Sequence, residues 1–190
     1  MTLLIAGIFL FFLTHSVSII NRQWRDRMVQ QLGENAWKGL YSLVALAGLV
    51  LLVMGYGEAR LAPTMLYHPP LWLRHVALLL MLPVFPLLVC TYFPGRIKTA
   101  AKHPMLVATK LWALSHLLAN GNLADVLLFG SFLLWAVADR ISLKRRQVRP
   151  VPTAPATAIN DALALGIGVG LYAAFLFSLH GILFGMPLLP

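Results

Sequence analysis

Four ionisable side chains stand inside strongly apolar runs of this sequence: His15, Lys110, His116 and His180. Chargeable groups are costly in hydrocarbon, so those found there usually face a bundle interior, a cavity or a cofactor. Neutral imidazole ligates haem iron, copper or zinc, and no intramembrane carboxylate is an evident partner for these histidines. The plainer alternative is a hydrogen bond from each imidazole to a Ser or Thr of a neighbouring helix. Phe11 and Phe12 lie one turn from His15, Trp112 one turn from His116, and Phe177 and Phe184 close to His180. Flat apolar surfaces beside a ligand suit a porphyrin better than a bare ion.

His103 precedes Pro104, whose missing N–H suits a first helical turn. On one helix, His103 and His116 are ~140° apart and ~20 Å along the axis, too far to share a metal. His103 shares its face with Lys110, Leu114, Leu117 and Gly121, and His116 with Trp112 and Asn120. His103 reads either as an interfacial histidine or as a cofactor neighbour. Lys110 reads either as a snorkelling lysine or as the partner of a carboxylate or haem propionate. By depth, His116 and His180 lie toward the outside, and His15 and His103 toward the cytoplasm. His68 and His75 read as interfacial, and Glu58, Asp125 and Asp139 as solvated or dipole-complementing charges at helix ends.

Long apolar helices must carry these residues. Hydrophobic residues make up 59% of the chain and charged ones 11%, against roughly 25% charged in a soluble domain. This is the composition of an integral membrane protein, an all-α polytopic bundle with lipid as its solvent. Runs of crossing length fall at about 1–20, 39–58, 71–92, 104–121, 122–140 and 162–185, which gives about six spans. Asn120-Gly121-Asn122 makes a tight turn between the fourth and fifth, and Pro83 and Pro86 should kink the third.

The net charge of +9 marks topology rather than a nucleic-acid partner, because no basic face with interleaved aromatics occurs. Twelve of the fifteen Lys and Arg residues fall in alternate connections: Arg22, Arg25, Arg27, Lys38, Arg96, Lys98, Lys102, Arg140, Lys144, Arg145, Arg146 and Arg149. The positive-inside rule puts these in the cytoplasm and both termini on the outer side of the membrane. The first run lacks a basic lead and a cleavage pattern, so it reads as a retained helix. A Pro-rich linker over about 141–161 precedes the last span. There Ala162, Gly166, Gly170, Ala174 and Ser178 form a small-residue stripe for packing within the monomer, with a homodimer seam as the alternative. The lone Cys90 excludes an intramolecular disulfide and covalent haem attachment. No phosphate loop, nucleophile elbow or zincin motif is present, and no internal repeat supports a transporter.

Thr14-His15-Ser16, the block His103-Pro104 to Lys110-Leu-Trp-Ala-Leu-Ser-His116-Leu-Leu-Ala-Asn-Gly121, and His180-Gly-Ile-Leu-Phe-Gly185 resemble the NnrU family over essentially the whole chain, as one membrane domain, 1–190. The resemblance implies a role in denitrification, supporting nitrite and nitric oxide reduction, with components of those reductases as partners. The plant zeta-carotene isomerase shares this domain and binds haem b. The resemblance therefore makes His15 and His116 the axial ligand candidates, with His103 and His180 as further family positions, close to the cofactor or structural. Trp112 and Lys110 are candidate cofactor neighbours from their own place beside these histidines. Depth favours His180 as the alternative partner of His116. Ala113 stands where the plant enzyme has a cysteine, so a thiolate ligand is unavailable and the isomerase activity is put in question. Two further readings are a haem-dependent polyene isomerase and a non-catalytic assembly subunit of a membrane reductase.

Overall fold

A computed structural model describes residues 1–146 and 151–189. Arg149, among the basic residues assigned to the cytoplasm, lies outside the described residues, as does Pro150 of the linker. The described chain is all-helical: α1 (Thr2–Ile20), α2 (Arg22–Leu32), α3 (Glu34–Ala59), α4 (Trp72–Met81), α5 (Val84–Tyr92), α6 (Arg96–Ala101), α7 (Pro104–Ala119), α8 (Leu123–Ser142), α9 (Asn160–Ala174), a π-helical turn (Phe175–Leu179) and α10 (His180–Phe184). Four helical stretches are long and apolar enough to cross a membrane: Thr2–Ile20, Glu34–Ala59, Trp72–Tyr92 and Asn160–Phe184. Pro104–Ala119 is a shorter apolar helix, and α8 carries Asp125, Asp139 and Arg140.

The helices form two compact units, Met1–His68 with Asn120–Arg145, and Pro69–Ala119 with Arg146–Pro190. In the first, α1 lies along α3 at backbone distance. A methyl added to Gly7 would fall 2.5 Å from the Leu52 nitrogen, and one added to Gly48 would fall 2.8 Å from the Phe11 nitrogen. At Gly55 it would collide with the Leu4 backbone. Small residues allow this approach in lipid, where dispersion replaces the hydrophobic effect as the force between helices. Leu4, Leu52, Ala59 and Ala124 form the buried core of this unit.

The connection expected after the first span is largely helical. Straight-chain Arg, Gln, Met and Leu favour helix, the Asn21 side chain accepts from the Trp24 amide at 2.9 Å, and Gly33 at φ +83° ends α2. At the other end of the unit, Leu66 and Tyr67 donate to the Gly121 carbonyl, and Leu123 donates to that of Thr64. The expected Asn120-Gly-Asn122 turn is therefore tied to the 61–68 connection. A side chain on Gly121 would strike the Tyr67 carbonyl.

In the second unit the core is Val84, Leu87, Cys90, Ala108 and Ala164. The kink falls at Pro83, where α4 ends and α5 begins. Pro86 is buried within α5, and Gly168 of α9 packs directly on it. This corrects the packing expected of the small-residue stripe. Gly166 and Gly170 face open space, Ala162 and Ser178 are exposed, and Ala164 with Gly168 makes the contact instead. The linker lies between α8, which runs to Ser142, and α9, which begins at Asn160. Its end is clasped: Asn160 donates to the carbonyls of Pro94 and Pro155 at 2.8 and 2.9 Å. Asp161 accepts from the amides of Arg96 and Ile97 at the start of α6.

Candidate functional site

His15 projects from α1 in the first unit. Its Nδ1 lies 2.8 Å from the Phe11 carbonyl. A carbonyl only accepts, so this bond places the proton on Nδ1 and leaves the Nε2 lone pair of the neutral ring available. Metal-ligating histidines commonly show this arrangement, in which one ring nitrogen is fixed by a backbone carbonyl and the other is directed at the metal. Phe11, on the same helix face, stacks on the imidazole at 4.1 Å. Tyr41 of α3 meets its edge at 5.6 Å and Trp135 of α8 stands perpendicular at 5.9 Å. Phe12 and Phe132 extend the aromatic wall.

His116 and His180 belong to the second unit. His116 Nδ1 donates to the Trp112 carbonyl at 2.8 Å, and the Trp112 ring lies 5.2 Å from the imidazole. The neighbouring Ala113 and Ser115 are buried. His180 Nδ1 donates to the Met186 carbonyl at 2.7 Å. Gly185, at φ +69°, turns the chain back so that this carbonyl can reach the ring, and Arg74 holds the returning strand through the Leu188 carbonyl at 2.5 Å. His180 follows the π-helical turn directly and lies within electrostatic reach of His116. His103 sits at the start of α7, as its Pro104 neighbour implied, and its carbonyl accepts from Val107 at 3.1 Å. It follows Lys102, whose φ of 61° is left-handed. Lys110 is half-buried on α7, and the helix ends at Ala119, so Gly121 does not continue the His103 face.

Among the described residues, no group of three or more His, Cys, Asp or Glu side chains could hold a metal ion. A caged zinc or copper ion needs such a group, whereas haem iron needs only one or two axial imidazoles. The donor chemistry at His15, His116 and His180 fits that lesser requirement. The family described as NnrU protein matches residues 3–188. The chain belongs to the NnrU family. No curated protein and no solved structure gives a match.

This NnrU-family chain also contains polar sites that its sequence concealed. Asp125 and Asp139, read as solvated or dipole-complementing charges at helix ends, are 1% and 7% exposed, and Asp125 does stand in the first turn of α8. Asp125 accepts from the Tyr56 hydroxyl and the Asn122 amide, and Arg60 lies over the Tyr56 ring at 5.8 Å. Nearby, in the 61–68 connection, burial and the Asp125 carboxylate push the Tyr67 phenol above its ordinary value. Asp139 is buried in the last turn of α8, where a helix dipole disfavours a carboxylate; that mismatch was the one signal available from sequence. Trp135 gave no signal, because nothing local couples it to His15, far earlier in the chain.

Proposed function

We propose that this NnrU-family protein is a multi-pass inner-membrane protein of about six spans with both termini periplasmic. It binds haem b through intramembrane histidines and supports nitrite and nitric oxide metabolism alongside the reductases of denitrification. The observation that carries the haem reading is the shared state of His15 and His116, each with Nδ1 committed to a backbone carbonyl at 2.8 Å. This fixes the tautomer and presents Nε2 as the ligand atom. Haem iron held by two imidazoles would supply one-electron transfer, and it would offer a position to a small neutral ligand only on release of one of them. The chain's own part is to hold each ring in one tautomer, to surround His15 with aromatic side chains, and to keep bulk water from it.

The decisive experiment is a reduced-minus-oxidised spectrum of detergent-purified protein with a pyridine haemochrome assay. One b-type haem per chain is expected. His15→Ala and His116→Ala should each weaken haem binding by at least the roughly ten- to hundred-fold that loss of an outer-shell partner costs. Colourless protein from haem-replete cells would remove the haem reading, and full retention of haem in either variant would remove that ligand. A second ligand assignment, His116 with His180, is favoured by their electrostatic proximity within one unit. It predicts that His180→Ala loses haem while His15→Ala keeps it.

A further inference from the structure

The His15 surroundings contain a second unmet group. Trp135 Nε1 is buried and has no hydrogen-bond partner, although a buried indole N–H nearly always finds an acceptor. Its ring stands perpendicular to His15 at 5.9 Å. The indole N–H bonds neither to the Phe11 carbonyl, which His15 engages, nor to the Tyr41 hydroxyl or the His15 Nε2 nearby, and Phe12 and Phe132 offer only ring faces and edges. An unpartnered donor therefore stands beside an imidazole whose Nε2 lone pair makes no bond in the structure. Both valences are met at once by a molecule that carries a metal for the imidazole and an acceptor for the indole.

We infer that Trp135 donates its indole N–H to a carboxylate oxygen of the molecule that His15 ligates, which rests on the haem reading above and makes that carboxylate a haem propionate. Charge and depth agree with an anion here. His15 lies within two turns of the end of α1 and Trp135 within two turns of the end of α8, and the chain beyond those ends carries Arg22, Arg25, Lys144 and Arg145. These basic residues must outweigh the buried Asp139 carboxylate, which lies one turn beyond Trp135 on α8.

The test titrates full-length protein, purified from haem-depleted cells, with haem b and with its dimethyl ester, reading the Soret band. The ester keeps the iron and the ring but replaces the anionic oxygens with weaker acceptors. Wild-type protein should prefer haem b by on the order of ten-fold, as for one hydrogen bond to a charged group. Trp135→Phe, which keeps an aromatic ring but loses the donor, should bring the two affinities together while leaving the imidazole-ligated spectrum unchanged. Equal wild-type affinity for haem b and ester overturns the inference and leaves the haem reading standing. A preference that survives Trp135→Phe also overturns it. Failure of wild-type protein to bind either porphyrin overturns both readings. The wild-type comparison needs no variant, so it decides the matter even if Trp135→Phe does not fold.

Discussion

In the first unit, α1 and α3 touch backbone to backbone through Gly7, Gly48 and Gly55. In the second, α9 approaches Pro86 of α5 at Gly168 and is tied at its start by Asn160 and Asp161. The first unit has a long glycine seam between two helices, whereas the second packs α5 against both α7 and α9 around a side-chain core and adds a polar clasp at the start of α9. Each nevertheless presents a histidine whose Nδ1 is fixed by the carbonyl four residues earlier. A seam fails when any one position gains volume, because packed backbone has no side chain to rotate away. A clasp fails by degrees, because water or headgroups can replace some of its bonds.

The sharpest way to break this contrast is Gly55→Leu. The new side chain collides with the Leu4 backbone and should cost about 3 kcal/mol, the upper part of the overpacking range, seen as a lower midpoint in detergent unfolding. Next is Asp125→Ala, which leaves the Tyr56 hydroxyl and Asn122 amide buried without their acceptor. About 2 kcal/mol is expected, with Asp125→Asn recovering part of it. Asp161→Ala, in the clasp, removes the acceptor for the Arg96 and Ile97 amides and should cost about 1 kcal/mol, as other caps do. Faster amide exchange confined to α6 is the accompanying signature. Smallest is Gly166→Leu, at a site open on every side, which should change stability by less than about 0.5 kcal/mol. If it unfolds the protein as Gly55→Leu does, the contrast between seam and open stripe is wrong.

The sequence made some of these features legible and hid others, for physical reasons. Apolar runs located α1, α3, the paired α4 and α5, and the last helix because a bilayer-length run has few other uses. Pro83 and the His103-Pro104 start were readable because their constraints are local. The register of the last span was not. Ala162, Gly166 and Gly170 share a face, but Ala164 and Gly168 have the same spacing on another, and only the position of Pro86 selects between them. The glycine seam likewise needs α1 as partner before Gly48 and Gly55 acquire meaning. The place of Asp125 at a helix start was readable, but its burial was not, because its partner Tyr56 is 69 residues away. The α2 helix escaped notice because a polar segment beside a membrane looks the same whether coiled or straight. Among the candidate residues, the i to i−4 relation of His15 with Phe11 was available from spacing, whereas the approach of Tyr41 and Trp135 required the fold.

The π-helical turn at Phe175–Leu179 has a consequence for how this span tolerates changes in length. A π turn holds one residue more than the α-helical turn it replaces. Deleting a single residue, for example Ser178, is therefore the change such a turn absorbs most easily, by reverting to α-helix with the flanking phase restored. An insertion lacks that outlet and rotates everything after it by ~100° about the axis while advancing it ~1.5 Å. Length variants at this point should thus be asymmetric, with loss tolerated in His180's aim and gain not.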